Sequence, residues 1–123
     1  RIIVVDYKSQ ANSNPVNTEE YLSNVYHEGY KVQMDFYSYL LTEMGFEVSP
    51  VSYFYVCNAD RSAPGFGSEM VFEETLVPYE WNCSWIEDKV FEMIRLLNSE
   101  KLPENNPSCE NCAYAIQRSN IGV

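Results

Sequence analysis

The first ten residues constrain the fold more than any other part of the chain. Four consecutive apolar residues, Ile2 to Val5, run directly into Asp6 and Lys8. A strand points successive side chains to opposite sides, so Asp6 and Lys8 lie on one side, and the apolar run predicts a strand buried on both faces. A carboxylate and an ammonium group at its end are costly to bury unless they pair or bind a ligand. The pair is therefore either a candidate functional site or a strand-end ion pair without chemistry.

Length and composition favour a single globular domain. The 123 residues are 46% hydrophobic and 15% aromatic, which fits neither a disordered segment nor a membrane protein. No apolar run approaches the ~20 residues of a membrane helix, and no secretory leader precedes the first strand. We therefore expect a cytoplasmic protein. Because the chain begins with Arg1 at a predicted central strand, we expect residues 1–123 to be the C-terminal part of a larger protein.

The charge argues against a simple nucleic-acid binder. Eighteen acidic residues against eight basic ones give a formal net charge of −10, whereas contacts to phosphate come mainly from Lys and Arg. A DNA substrate is compatible with this charge in two ways. Either a missing N-terminal part carries the basic surface, or bound divalent cations offset local carboxylates.

Four cysteines, Cys57, Cys83, Cys109 and Cys112, are expected to be reduced thiols because no leader directs the chain to an oxidising compartment. The spacing of Cys109 and Cys112 suits two ligands of a zinc ion or an iron–sulfur cluster. A closed site needs four ligands, and neither a cysteine nor a histidine follows Cys112. An iron–sulfur cluster is therefore not expected, and whether the pair binds another metal stays open.

A long amphipathic helix is predicted from Thr18 to Met44. Asn17 followed by Glu20 is typical of a helix N-terminus, and Gly45 stands where a left-handed residue ends a helix. Residues at intervals of three and four form one predicted stripe on this helix. Its members are Tyr26, Tyr30, Gln33, Tyr37, Leu40, Leu41 and Met44.

Gln33 is the polar residue in the middle of that stripe. A buried amide without a hydrogen-bond partner costs about 1–3 kcal/mol, so a buried Gln33 needs a partner. If the helix packs beside the first strand, Gln33 reaches Asp6 and Lys8. The alternative is a glutamine at the edge of the stripe, half in water.

The remaining segments predict two more strands and two more helices. The two strands are joined by a short loop, which favours an antiparallel hairpin. Together with the first strand and the long helix they predict an α/β fold, a mixed central β-sheet flanked by helices. The predicted segments are a strand over residues 46–58, a loop over 60–67, a strand over 69–79, a helix over 84–98 and a short helix over 112–118.

Two motifs, one in the first strand and one in the long helix, resemble motifs of the PD-(D/E)XK nuclease superfamily, specifically of its RecB-like branch. Val4-Val5-Asp6-Tyr7-Lys8-Ser9 looks like the branch's strand motif, with two apolar residues before Asp-Tyr-Lys-Thr. Gln33-Met34-Asp35-Phe36-Tyr37 matches its helical Gln-x-x-x-Tyr motif. The segment from Pro107 to Tyr114 is similar to the cysteine-bearing tail of several relatives.

The resemblance implies metal-dependent hydrolysis of DNA phosphodiester bonds, in an exonuclease of the kind found in recombination, repair or phage proteins. It implies that Asp6 and the carbonyl of Tyr7 bind Mg²⁺ or Mn²⁺, which prefer oxygen ligands. Lys8 would orient or activate the attacking water. Gln33 and Tyr37 would support the site or contact the substrate.

The chain departs from the family pattern at its beginning. Relatives carry a further acid on an earlier strand, which this sequence does not contain. The resemblance thus implies a restriction-endonuclease-like core that lacks its N-terminal helix and first strands, and a fragment that is inactive alone. Its expected partners are DNA in the full-length protein, a missing N-terminal segment or a second copy, and no membrane. The competing hypotheses are a scaffold module with a degenerate site and a restriction-type endonuclease.

Overall fold

The computed structural model describes residues 1–62, 64–65 and 67–121. The chain forms two compact units, Arg1–Ile86 and a second unit that begins at Glu87. Predictions for residues 63, 66, 122 and 123 lie outside the described part. The described elements are β1 (Val5–Gln10), α1 (Thr18–Ser23), a 3-10 turn (Val25–His27), α2 (Glu28–Glu43), β2 (Val51–Ala59), β3 (Phe72–Glu80), α3 (Ile86–Leu97) and α4 (Glu110–Asn120).

The three strands form a mixed sheet in the order β1-β2-β3. β1 runs parallel to β2, and β2 and β3 form the predicted antiparallel hairpin. This sheet with its helices confirms the predicted α/β class and is compatible with a restriction-endonuclease-like fold. β3 begins at Phe72, three residues later than predicted. That the core lacks an N-terminal helix and first strands stays a prediction.

The prediction that the opening strand is buried on both faces is wrong. β1 is an edge strand of the described sheet, and it buries only one face. Val4 is buried, whereas the side chains of Ile3 and Val5 on the opposite face are about half exposed. The apolar run predicted a strand, but the strand begins only at the last residue of the run, Val5, and the run did not reveal that the first unit packs its core against one side of this strand.

The predicted helix from Thr18 to Met44 is divided into α1 and α2. Asn17 caps α1 as expected, because its side chain accepts a hydrogen bond from the Glu20 N–H. Asn24 then leaves the helical conformation, with φ −68° and ψ 121°, and its side chain caps the 3-10 turn through the Tyr26 N–H. Asparagine competes with a helix in this way because its side chain bonds to nearby backbone. Gly45 ends the helical segment at φ +89°, as predicted.

The core of the first unit is formed by one face of the sheet, Tyr21 and α2. The α2 residue at its centre is Met34, which is fully buried. The predicted stripe is therefore rotated away from the core, since four of its members, Tyr26, Tyr37, Leu40 and Met44, are 43–86% exposed. Tyr30 and Leu41 do pack against the core.

A buried carboxylate links α2 to the segment that follows β3. Asp35 is 5% exposed and accepts hydrogen bonds from the Tyr79 hydroxyl, the Asn82 N–H and the Trp85 indole N–H at 2.9–3.0 Å. The other tryptophan, Trp81, donates to the Ser49 carbonyl at 2.6 Å. Both tryptophans are therefore held by hydrogen bonds within the first unit.

The second unit contains most of α3 and all of α4. α4 is longer than the predicted helix over residues 112–118, and Cys109 caps its N-terminus. Ile86 is the one buried residue of α3. Among the described helices, none combines the length and hydrophobicity required to span a membrane.

Candidate active site

β1 places the two charged residues of its motif on the core side of the sheet. In the parallel ladder Asp6 pairs with Phe54 and Lys8 with Val56, and both partners are fully buried. Because paired residues on neighbouring strands share a face, Asp6 and Lys8 point towards the side that α2 covers. The alternation of side chains along β1 thus places both charged groups on the core side of the sheet.

Asp6, Lys8, Gln33 and Tyr37 form a continuous chain of polar contacts. The Lys8 Nζ lies 2.6 Å from Asp6 Oδ2 and donates a hydrogen bond of 2.9 Å to Gln33 Oε1. The amide nitrogen of Gln33 donates to the Tyr37 hydroxyl at 2.6 Å. The Asp6 and Lys8 side chains are each 17% exposed. The structure therefore brings together all four residues that the sequence predicted to be catalytic.

An aromatic ring provides a further contact for the lysine. The Nζ of Lys8 lies 4.4 Å from the ring centroid of Tyr30, within the distance at which a cation is attracted to a ring face. The ammonium group is therefore fixed by a carboxylate, an amide oxygen and a ring. Lys8 donates one of its three N–H groups to Gln33, so a donor remains for a ligand.

Tyr7, the other residue predicted to bind metal, has its side chain on the opposite face. Its ring is 72% exposed and lies against the ring of Tyr55, with centroids 4.8 Å apart. The predicted role used the backbone carbonyl of Tyr7 and not its ring, so this orientation does not affect it. The metal role of Asp6 and Tyr7 stays a prediction.

The oxygen atoms that Asp6 and the Tyr7 carbonyl offer are of the type that binds a divalent cation. Asp6 Oδ2 is buried and lies 2.6 Å from the Lys8 Nζ. The two atoms form an ion pair, but their angles do not meet those of a hydrogen bond, so Asp6 Oδ2 has no directed hydrogen bond. Mg²⁺ is often held by one or two carboxylates together with water and substrate phosphate. Among the described residues, no group of three or more His, Cys, Asp or Glu side chains is placed to hold a metal. Asp6 is thus the one carboxylate this cluster offers.

Sequence reasoning missed a column of rings behind the lysine. The His27 ring stacks on Tyr30, with centroids 5.1 Å apart, and also contacts the Tyr21 ring, with centroids 4.2 Å apart. Burial, followed by the nearby Tyr30 and Asp6, raises the pKa of Tyr21 to about 12. The influence of Asp6 places Tyr21 in the electrostatic field of the site. The stripe predicted from sequence contained Tyr30. Tyr21 and His27 lie on opposite sides of the helix break at Asn24, so no single helical repeat relates them.

The four cysteines are free thiols. The Sγ of Cys109 accepts a hydrogen bond from the Cys112 N–H at 3.4 Å, and this bond lowers the pKa of the Cys109 thiol. The hydrogen bond between the two side chains raises the pKa of Cys112. This pair lies in the second unit, whereas Cys57 and Cys83 lie in the first.

A sequence model of the PD-(D/E)XK nuclease superfamily matches residues 1–117. The match covers nearly the whole chain and includes every residue of the cluster around Lys8. The protein belongs to the PD-(D/E)XK nuclease superfamily, whose members are typically nucleases and generally use Mg²⁺ or Mn²⁺. No curated protein and no solved structure matches the chain significantly.

Proposed function

We propose that the complete protein is a DNA exonuclease of the RecB-like branch that depends on Mg²⁺ or Mn²⁺. The observation that carries the proposal is the contact of Lys8 with both Asp6 and Gln33, at 2.6 and 2.9 Å. The strand motif and the helical Gln-x-x-x-Tyr motif are far apart in sequence, yet their polar ends meet. This arrangement, within a nuclease superfamily, favours one catalytic site.

Asp6 and the Tyr7 carbonyl are the groups that would hold the cation. When bound, the ion lowers the pKa of a coordinated water and offsets charge on the phosphate. Asp6 supplies the buried oxygen without a directed hydrogen bond, and its negative charge also keeps the Lys8 ammonium in place.

Lys8 acts on the phosphodiester group. An ammonium group has three N–H donors and no acceptor, and Gln33 Oε1 takes one of them. A remaining donor is available for a phosphoryl oxygen, where it stabilises the negative charge that develops during attack. The same group orients the attacking water. The fixed position of Nζ matters, because preorganised donors lose no free energy to rearrangement during the reaction.

Gln33 and Tyr37 position the lysine. Tyr37 accepts a hydrogen bond of 2.6 Å from the Gln33 amide nitrogen, which leaves the amide oxygen directed at the Lys8 Nζ. A lysine side chain has a flexible four-carbon stem, so an acceptor fixed on a helix restricts it. Tyr37 is 43% exposed, so its ring is also accessible to a substrate.

We further propose that residues 1–123 are the C-terminal part of a single nuclease domain and are inactive alone. The described cluster offers one carboxylate, whereas the resemblance implies a further acid on an earlier strand. A second candidate, a scaffold module with a degenerate site, is favoured by the net charge of −10, which weakens binding to a polyanion.

The test is cleavage of linear double-stranded DNA by the complete protein. We expect degradation with Mg²⁺ or Mn²⁺ and none after chelation. Asp6→Asn, which keeps the size of the side chain but removes its charge, is expected to abolish degradation. The matched control is Asp60→Asn, because Asp60 is exposed and follows β2, outside the cluster. Stable DNA binding without any cleavage under these conditions would favour the scaffold.

A further inference from the structure

Tyr30 connects the lysine of the proposed site to the His27 ring. It lies three residues before Gln33 on α2, so both side chains extend from one face of the helix. Gln33 Oε1 accepts a hydrogen bond from the Lys8 Nζ at 2.9 Å, and the same nitrogen lies 4.4 Å from the centroid of the Tyr30 ring. Two neighbouring residues of one helix therefore hold one ammonium group, each by a different kind of contact.

These two contacts join Lys8 to the helix, which Asp6 does not do. Asp6 and Lys8 both belong to β1, so their ion pair leaves the distance between the ammonium group and α2 undefined. The contact with Tyr30 forms in a place from which water is largely excluded, since the Lys8 side chain is 17% exposed and Tyr30 is half-buried. The attraction between a cation and a ring face is stronger in such surroundings than at an exposed site.

The two contacts also use the ammonium group differently. A hydrogen bond to the Gln33 amide oxygen occupies one of the three N–H donors of the lysine. The face of an aromatic ring instead attracts the positive charge as a whole, because the π-electrons make the face negative. Tyr30 thus restrains Nζ without a lone pair that competes with a phosphoryl oxygen for a donor. Such a restraint suits a donor that has to bind substrate and keep its position.

The Tyr30 ring is itself held in its orientation. It stacks on the His27 ring, with centroids 5.1 Å apart and an interplanar angle of 20°, and it packs against the core of the first unit. The His27 Nδ1 lies 2.7 Å from the Tyr21 carbonyl oxygen. Because a carbonyl only accepts, Nδ1 donates this hydrogen bond. The fixed imidazole therefore restrains the phenol ring whose face lies under the Lys8 ammonium group.

We propose that Tyr30 is a positioning residue for Lys8, whose ammonium group is held by the face of the Tyr30 ring, and that His27 holds this ring in place. The proposal rests on the proposed nuclease function, in which Lys8 acts on the phosphodiester group. The role requires the ring and not its hydroxyl. Phenylalanine at position 30 therefore fulfils it, whereas an aliphatic residue does not.

The direct test is the NMR spectrum of the chain labelled with ¹³C-lysine. Protons above the face of an aromatic ring resonate upfield, so the ε-methylene signal of Lys8 should lie upfield of the signal of the exposed Lys89. Tyr30→Phe should keep this displacement, Tyr30→Leu should remove it and His27→Leu should reduce it. A wild-type Lys8 signal at the position of Lys89 would overturn the proposal, and this measurement needs no variant to fold. A displacement that survives in Tyr30→Leu would overturn it too, and one unchanged in His27→Leu would refute the role of His27.

The rate at which the complete protein cleaves linear double-stranded DNA measures the consequence. Tyr30→Phe should cleave at the wild-type rate, whereas Tyr30→Leu should lower the maximal rate about 2- to 30-fold, the effect of losing one contact between a cation and a ring. The matched control is Tyr26→Leu, since Tyr26 is 86% exposed and should leave the rate unchanged. Equal losses in Tyr30→Phe and Tyr30→Leu would assign the effect to the hydroxyl and refute the role of the ring.

Increasingly fluorinated phenylalanines at position 30 separate attraction from packing. Each fluorine withdraws electrons from the face of the ring and changes its size little, so the attraction for the Lys8 ammonium group falls stepwise. We expect the cleavage rate to fall in the same order while the thermal midpoint stays nearly constant. A rate independent of fluorination would show that Tyr30 only fills space, and the proposal would be wrong.

The two proposals fail in different ways. An upfield Lys8 signal that depends on the Tyr30 ring, in a complete protein that does not cleave DNA, refutes the nuclease and leaves the contact standing. DNA cleavage that is equally fast in the wild type and in Tyr30→Leu refutes the positioning role and leaves the nuclease standing.

Discussion

Replacing Asp35 by asparagine should destabilise the first unit strongly. One carboxylate oxygen accepts from Tyr79 and Asn82, and the other from the Trp85 indole N–H. An asparagine oxygen keeps the first two bonds, but its NH₂ group then faces the indole N–H. The loss of one hydrogen bond to a charged group costs about 1.5–3 kcal/mol, and a buried donor left unsatisfied costs about 1–3 kcal/mol. We therefore expect a loss of about 2.5–6 kcal/mol.

Urea unfolding followed by tryptophan fluorescence measures this loss. The control is Glu43→Gln, which removes an exposed charge at the end of the same helix and should change the free energy of unfolding by less than about 0.5 kcal/mol. If Asp35→Asn costs less than about 1 kcal/mol, the carboxylate does not hold the segment after β3, and the reasoning from its three bonds is refuted.

Three further outcomes follow from the contacts of the site and the core. Gln33→Leu in the complete protein should lower the rate of DNA cleavage about 10- to 100-fold, the effect of one hydrogen bond to a charged group; an unchanged rate would show that Gln33 does not position Lys8. Calorimetry should detect weak or no Mn²⁺ binding to residues 1–123, and micromolar binding would contradict an incomplete site. Burial, and then the nearby Asp35, raise the pKa of the Tyr79 hydroxyl. As the pH rises, Tyr79 therefore loses its proton at a lower pH in the unfolded chain than in the folded chain. The free energy of unfolding consequently falls above about pH 10. Urea midpoints between pH 8 and 11 should fall less in Tyr79→Phe than in the wild type.

The centre of the candidate site was predictable because its parts follow local periods. The alternation of a strand places Asp6 and Lys8 on one side, and four residues along a helix place Gln33 and Tyr37 on one face. The cost of burying an amide predicted a partner for Gln33, and the structure supplies Lys8 and Tyr37. These arguments need no knowledge of the whole fold.

The parts that sequence reasoning missed depend on contacts between distant segments. Asn24 divides the predicted helix, and His27 lies beyond this break in contact with both Tyr21 and Tyr30. The bond from Trp85 to Asp35 joins residues 50 positions apart. Hydrophobic periodicity identifies an element, but it does not say which neighbour covers each face, so the core stripe of α2 was predicted with the wrong rotation.

The cleavage rate of the Lys8→Ala variant of the complete protein tests the central claim most directly. The matched control is Lys89→Ala, which removes an exposed lysine paired with Glu92 on α3. We predict that with Mg²⁺ or Mn²⁺ the control degrades linear DNA like the wild type and that Lys8→Ala does not degrade it, with both variants folded. Undiminished degradation by Lys8→Ala would contradict a catalytic site built around this ammonium group.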